Sequence, residues 1–122
     1  MNKKIIEVDN FKIAVISDKE PIITSSQAML DLIATVDYYD SASFIVIYKS
    51  AIIEDFFDLS TNIAGDILQK VVNYKKKIAI VGDFSAYESK ALKDFIYECN
   101  NGNSIFWAST EDEAIKMIIK SK

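Results

Sequence analysis

The sequence contains no histidine and no arginine, and it has only one cysteine, one proline and three glycines among 122 residues. Without histidine there is no Ser-His or Cys-His nucleophile system, and most transition-metal sites are excluded as well. A single cysteine, Cys99, excludes a disulfide framework within the chain and a zinc knuckle. The scarcity of glycine and proline, with a hydrophobic fraction of 50%, is typical of an ordered globular chain.

The charge balance is acidic and argues against several classes of partner. Eighteen Asp and Glu residues outnumber fourteen bases, all of them lysine, and the net charge is −4. Nucleic-acid-binding domains are usually basic and use arginine for bidentate contacts, so we expect no nucleic-acid partner. No apolar run approaches the roughly 18 residues of a membrane span, and no signal peptide is visible. We therefore expect a cytoplasmic protein without a membrane partner, folded as one domain over 1–122.

Five short β-rich runs predict the strands of an α/β domain. The runs KKIIEVDN and FKIAVISD meet at Asp9-Asn10, which tolerate positive φ, and predict a hairpin. Mostly apolar runs at 43–48, 77–82 and 104–109 predict strands covered on both faces. Helical segments alternate with these runs, which favours parallel pairing. We expect the order ββαβαβαβα, with a mainly parallel five-stranded sheet and an antiparallel N-terminal hairpin.

Four amphipathic segments predict the helices, and three of them begin with a capping box. The boxes pair a hydroxyl with Glu or Gln three residues later: Thr24 with Gln27 for the first helix, Ser85 with Glu88 for the third, and Thr110 with Glu113 for the fourth. The first helix has a predicted buried stripe at Met29, Leu32, Ile33 and Val36. Cys99 lies on the corresponding stripe of the third helix, which indicates a buried, inert thiol.

The second helix begins within EDFFDLSTNIAGDILQK, residues 54–70, where the capping box is incomplete. Ser60 is either a plain cap that accepts an amide hydrogen bond or a phosphorylation site at the positive end of the helix dipole. Gly65 costs roughly 1 kcal/mol relative to alanine. Either close packing against a neighbour or a backbone left open to a partner would offset that cost.

Aromatic and acidic residues precede this helix. One of Phe56 and Phe57 is a candidate staple for its first turn, and the other is a candidate surface anchor for a protein partner. The acids at 54, 55 and 58 are interpreted as partners of the helix dipole rather than as Mg²⁺ ligands. We therefore expect no metal and no cofactor.

The segment IAIVGDFS runs from a strand through a turn to a helix start. It carries one glycine, whereas a dinucleotide fingerprint needs three and a phosphate loop needs GK[ST]. The carboxyl ends of parallel strands are nevertheless where open α/β sheets bind ligands. Asp83 and Ser85 are therefore candidates for polar contacts.

Three segments carry a resemblance to a known family: FFDLSTNIAGDILQK, NYKKKIAIVGDF and SKALKDFIYECNNG. With them, nearly the whole chain resembles the bacterial domain of unknown function 4180, a family without known chemistry. The element order is also similar to that of STAS domains, the fold of anti-sigma-factor antagonists. In those domains a serine at the start of the second helix is phosphorylated to release a partner kinase. The matching stretch here is 58–61, Asp-Leu-Ser-Thr, so this resemblance implies a regulatory role for Ser60.

Two functional hypotheses follow, and no catalytic residue is assigned in the first. The first is a non-enzymatic, regulatory interaction module with a STAS-like fold, whose partner is another protein or a second copy of itself. Its working surface would comprise Phe56, Phe57, Asp58, Ser60, Thr61 and Asn62. The alternative is a small-molecule binder or a histidine-independent enzyme that uses Asp58, Asp83 and Ser85. A deep polar pocket beside Asp83 would favour the alternative, and a flat or convex surface around Ser60 would favour the module.

Overall fold

Strands and helices alternate along the chain in the predicted order. The computed structural model describes residues 1–121. The strands are β1 (Asn2–Val8), β2 (Phe11–Ser17), β3 (Phe44–Tyr48), β4 (Lys77–Val81) and β5 (Ile105–Ala108). The helices are α1 (Ser26–Asp40), α2 (Ile63–Asn73), α3 (Lys90–Asn101) and α4 (Glu111–Ser121). Three short 3-10 segments, Lys49–Ala51, Glu54–Phe57 and Leu59–Thr61, lie between β3 and α2.

The sheet has the spatial order β1-β2-β3-β4-β5. Its first two strands are antiparallel, and every other pair is parallel, as the sequence predicted. The hairpin turns at Asp9-Asn10, where Asp9 has φ 54°. The α/β fold class and the N-terminal hairpin are thus confirmed.

The helices form a layer on each face of the sheet. One face packs Ile45 and Ile47 of β3 against α1, α2 and α3, and the other packs Phe44 and Val46 against α4. Because the central strands are covered on both faces, they are apolar throughout rather than alternating. The predicted stripe of α1 is confirmed, since all four of its residues are buried. Among residues 1–121, no helix is both long enough and apolar enough to span a bilayer.

Two of the three predicted capping boxes are misplaced. Helix α1 is capped by Ser25, whose Oγ accepts from the amide of Ala28 at 3.2 Å, and not by Thr24. The reason lies in Ile23, which forms a parallel bridge with Ile52 and holds the chain extended up to the cap. Helix α3 is capped by Ser89, whose Oγ accepts from the amide of Leu92 at 3.2 Å.

For α4, the predicted hydroxyl of the capping box is the one observed. The Oγ1 of Thr110 accepts from the amide of Glu113 at 3.1 Å. This bond satisfies one of the donors that the first turn of α4 leaves without an intrahelical partner. Three acids in that turn add a favourable interaction with the helix dipole.

Candidate functional site

The 3-10 segments ahead of α2 and the β4–α3 loop meet above a cluster of aromatic rings. Phe57 lies at its centre, with ring centroids 5.0 Å from Phe56, 5.9 Å from Phe84 and 6.0 Å from Trp107. Phe56 and Phe57 are only 1% and 3% exposed. The prediction that one of them anchors a partner at the surface is therefore wrong. Both rings are buried because the short turns direct them into the core, and they hold the loops above them.

The polar residues of the two loops face solvent. We call them the polar loop surface, and its members are Asp58, Ser60, Thr61, Asn62, Asp83 and Ser85, all of which are exposed. The junction ahead of α2 is thus accessible, as the sequence predicted. The aromatic contact between Phe57 and Phe84 joins the loop that carries the first four members to the loop that carries the last two.

The polar loop surface contains two turns of the same construction. Asp58 Oδ1 accepts from the Ser60 amide at 3.1 Å and from Ser60 Oγ at 2.6 Å. Asp83 Oδ1 accepts from the Ser85 amide at 2.9 Å and from Ser85 Oγ at 2.6 Å. Each is an Asx turn, in which the carboxylate replaces a backbone acceptor two residues before the amide. Neither turn needs glycine, which explains why no glycine-rich signature marks this region.

Both carboxylates are held in their ionised form. The Ser60 hydroxyl, followed by the Ser60 amide, lowers the pKa of Asp58. The hydroxyl and amide of Ser85 lower the pKa of Asp83 in the same way, and the positive charge of Lys49 adds to the effect. Donors that bond to a carboxylate favour its charged form. At neutral pH the polar loop surface therefore presents two fixed negative charges.

Ser60 does not cap α2, so that prediction is wrong. Its hydroxyl is used within the Asx turn, and it lies in the 3-10 segment Leu59–Thr61. The hydroxyl of Thr61 accepts from the amide of Ile63 at 3.3 Å and donates to the carbonyls of Asp55 and Asp58. The chain then enters the helix through Asn62 in a left-handed conformation, with φ 64°. Ser85 likewise belongs to a turn and not to the cap of α3.

Gly65 faces open space. A Cβ built on this residue would have no neighbour within 4 Å, and the residue is exposed. The explanation by close packing is therefore wrong. A backbone left open to a partner stays a prediction, and it would extend the polar loop surface along α2.

A lysine at the end of β3, which sequence reasoning missed, links the two loops. Lys49 Nζ lies 5.3 Å from the ring centroid of Phe57, 5.1 Å from that of Tyr87 and 3.6 Å from Glu54 Oε1. The Tyr87 hydroxyl donates to Glu54. Lys49 directly follows a predicted strand, and this position at the carboxyl edge was the signal that could have identified it.

The environment of this cluster keeps Lys49 and Tyr87 protonated. The neighbouring Tyr87, together with Glu54, raises the pKa of Lys49. Burial, together with the hydrogen bond to Glu54, raises the pKa of Tyr87. A general base must be unprotonated near neutral pH. Neither side chain meets that requirement.

A shallow depression of about 370 Å³ lies beside the polar loop surface. Its lining consists of Glu54, Asp55, Phe57, Asp58, Tyr87 and Ser89. Of the three residues predicted for a small-molecule site, only Asp58 is among them. Within residues 1–121, no three acidic or cysteine side chains converge in a way that could hold a metal ion.

A second polar cluster lies on the opposite face of the sheet, and sequence reasoning missed it too. Glu111 at the start of α4 accepts from Lys4 Nζ at 2.8 Å and from Tyr48 Oη at 2.8 Å. Both donors lower the pKa of Glu111, and Lys4 has the larger effect. The hydrogen bond to Glu111 in turn raises the pKa of Tyr48. The cluster ties β1, β3 and α4 together across residues distant in sequence.

Cys99 is half-buried and not fully buried as predicted. Burial nevertheless raises the pKa of its thiol. The thiolate is the reactive form, so its low population at neutral pH supports the interpretation of an inert cysteine.

A protein-family match covers the polar loop surface and the aromatic cluster described above. The family described as Domain of unknown function (DUF4180) matches residues 8–118. The chain belongs to this family. The matched range includes both Asx turns, Lys49 and Gly65. Searches of curated proteins and of solved structures found no match, so the similarity of this DUF4180 domain to STAS domains stays a prediction.

Proposed function

We propose that this DUF4180 domain is a non-enzymatic, cytoplasmic interaction module that presents the polar loop surface to a partner protein. The observation that carries the proposal is the pair of Asx turns on one buried aromatic cluster. Asp58 with Ser60 and Asp83 with Ser85 point exposed polar groups outward, while Phe57 fixes the loops beneath. A surface held in one conformation loses little entropy when a partner binds.

The same geometry disfavours catalysis by these serines. A serine nucleophile needs a base that takes its proton. The acceptors of Ser60 and Ser85 are carboxylates whose pKa values are lowered, so they are weak bases at neutral pH. Lys49 and Tyr87, the other titratable groups at this edge of the sheet, are held protonated.

The charge around the polar loop surface indicates the chemistry of the partner. Besides its own Asp58 and Asp83, the exposed carboxylates near it are Glu54, Asp55, Asp66 and Glu88. The nearby Lys49 is engaged by Glu54 and by two aromatic rings. Complementary charge accelerates association and selects partners. We therefore propose a partner surface that carries lysine or arginine.

Ser60 is the residue through which binding would be regulated. Its hydroxyl is exposed and donates to Asp58. A phosphate would add about −1.5 to −2 charges there and would repel the Asp58 carboxylate. Phosphorylation would thus open the first Asx turn and change the charge that a partner meets. This part of the proposal also draws on the similarity to STAS domains predicted from the element order, since a serine at this place is a phosphoswitch in those domains.

The test is capture of a partner from the native cytosol on immobilised domain, with matched variants. Asp58→Asn with Asp83→Asn removes both charges but keeps an acceptor for each turn. Glu113→Gln removes one exposed charge on α4, at the opposite face. We expect one partner to be retained by the parent and by Glu113→Gln, and to be lost from the double variant and at high salt. Equal retention by all three proteins, or no retained partner, would contradict the proposal.

A second candidate rests on the depression beside the surface. Glu54, Asp55 and Asp58 contribute carboxylates to its wall, and Phe57 and Tyr87 contribute rings. This lining suits a small organic cation, which carboxylates and aromatic faces both attract. A thermal-shift screen with polyamines and cationic amino acids tests it. Stabilisation of the parent that is lost in Glu54→Gln would favour this function over the interaction module.

A further inference from the structure

The two edge strands of the sheet, β1 and β5, differ in whether their outward backbone groups have a partner among residues 1–121. At the β5 edge, the side chain of Asn100 pairs with the backbone of Trp107: Oδ1 accepts from the Trp107 amide at 2.8 Å, and Nδ2 donates to its carbonyl at 3.2 Å. An unpaired strand edge is a template for another strand. Asn100 removes that template from the middle of β5 by acting as one residue of an additional strand.

The β1 edge is regular and carries outward-facing backbone groups. All seven residues of β1 pair with β2 without a bulge. Lys12 on β2 lies opposite Glu7, and its carbonyl accepts from the Ser43 amide on the β3 side. Glu7 and Lys12 are therefore a pair without hydrogen bonds between them, so the backbone groups of Glu7 point away from the sheet. By the two-residue period of a strand, those of Ile5 and Lys3 point outward as well.

We propose that a second copy of this chain pairs with β1 in the antiparallel direction, about a twofold axis at Ile5. Ile5 is the middle residue of Asn2–Val8, so this register pairs the whole strand. It places the outward groups of Ile5 opposite those of the second Ile5. It also places Lys3 opposite Glu7 of the second copy, twice by symmetry. The two sheets become one continuous sheet across the axis, an isologous interface.

Charge is the argument for this occupant and this register. Lysine on an edge strand usually discourages pairing, but here each Lys3 meets a glutamate of opposite charge. Opposite charges directly across an antiparallel pair stabilise it, and like charges destabilise it. Lys3 is held in place by an ion pair with Asp40 at 2.5 Å and by the Tyr39 ring at 5.4 Å. The other outward member, Ile5, is uncharged and packs on the core beside α1.

Exposed aromatic rings adjoin the same edge. Tyr38 and Tyr39 at the end of α1 are 80% and 71% exposed and contact one another edge to face, with centroids 4.8 Å apart. Tyrosine is enriched in interfaces. Through Lys3, Tyr39 lies beside β1, where a paired second copy would cover it. The polar loop surface follows β3 and β4, so this pairing leaves it free and does not depend on the proposed function.

The test reverses the charge of one member of the proposed pair in each of two variants. The molar mass of each protein in solution is measured by sedimentation equilibrium over a concentration series. Lys3→Glu alone places two glutamates opposite each other, and Glu7→Lys alone places two lysines opposite each other. We expect the parent to dimerise and the dissociation constant of each variant to rise roughly tenfold or more. An equimolar mixture of the two variants should form a heterodimer, because both cross-strand pairs then join opposite charges.

Two further variants separate pairing from folding. Lys12→Gln changes the residue opposite Glu7 on β2 without placing like charges across that pair, and it lies away from the edge, so it should leave the dimer intact. Ile5→Pro removes an outward amide at the axis without removing a bond to β2. It should give a monomer that keeps its secondary structure by circular dichroism but unfolds at a lower temperature, because the packing of Ile5 on the core is lost. A monomeric parent, a Glu7→Lys variant that still dimerises, or a mixture that stays monomeric would each overturn the proposal.

Discussion

The side chain of Lys49 lies directly against the backbone of Gly82. A Cβ on Gly82 would be 2.7 Å from Lys49 Cβ and 3.0 Å from its Cδ. Gly82 directly follows β4, and its lack of a side chain lets Lys49 extend over Phe57 and Tyr87. The glycine that sequence analysis considered for a phosphate loop thus serves to position a lysine.

The two glycines on either side of the polar loop surface should respond oppositely to alanine. Gly82→Ala should lower the free energy of unfolding by about 1–3 kcal/mol, because the methyl group overpacks against Lys49. Gly65→Ala should raise it by about 1 kcal/mol, because the helix gains propensity and the methyl group meets open space. Urea titration of both variants measures this. A neutral Gly82→Ala would show that the contact with Lys49 relaxes freely.

The centre of the aromatic cluster should dominate the stability of both loops. Phe57→Ala should cost about 3–5 kcal/mol, because it removes a buried ring that contacts Phe84 and Trp107. Tyr97→Ala is the control, since Tyr97 is 71% exposed on α3 and should change stability by at most about 0.5 kcal/mol. Similar urea midpoints for the two variants would contradict the role assigned to Phe57.

The spacing of apolar residues was sufficient to predict the fold, because each strand and helix is marked by several residues close together in sequence. The run at 77–82 is apolar on both faces, and Met29 with Val36 marks one stripe of a helix. Neither signal depends on distant contacts. Four of the five predicted strands agree with the observed ones to within one residue at each end, as Phe44–Tyr48 and Ile105–Ala108 illustrate. The first predicted run, KKIIEVDN, also included the turn residues Asp9-Asn10, which lie beyond the end of β1.

The details of the candidate site depend on distant contacts and were therefore not predictable. Thr24 and Ser25 are equally suitable caps, and the bridge from Ile23 to the 3-10 region decides between them. Ser85 does not cap α3 because it lies in the turn at Asp83 and the helix begins only at Lys90, with Ser89 as its cap. Local pattern identified which residues are polar at this edge, whereas tertiary packing determined the partner of each.

The adjacent hydroxyls ahead of α2 should differ in their contribution to stability. Thr61→Ala should cost about 1 kcal/mol, because Thr61 accepts from the amide of Ile63 and also donates to two carbonyls. Ser60→Ala should change stability by less than about 0.5 kcal/mol, because its bond to Asp58 is exposed. Thermal unfolding of the pair checks the order. A larger loss for Ser60→Ala would restore the serine as the structural residue.

The cluster of Glu111, Lys4 and Tyr48 should make stability depend on acid pH. The folded-state pKa of Glu111 lies below the usual 4.5 because Lys4 and then Tyr48 donate to it. Its contribution is therefore complete above about pH 4.5 and disappears as the pH falls through the folded-state pKa. Glu111→Gln should reduce the loss of unfolding free energy between about pH 7 and pH 3. Glu113→Gln, in the same helical turn, is the matched control, and an equal reduction there would contradict the assignment.

Removal of Asn100 should open the second edge of the sheet. Asn100→Ala leaves the amide and carbonyl of Trp107 without their side-chain partner, which should cost about 1–3 kcal/mol. It should also let β5 accept another strand, so that chains which pair at β1 can extend beyond dimers. Light scattering of concentrated protein tests this, with Asn101→Ala as the control because Asn101 is its exposed neighbour on α3. Scattering by Asn100→Ala no greater than that of the control would mean that β5 is protected by its short length instead.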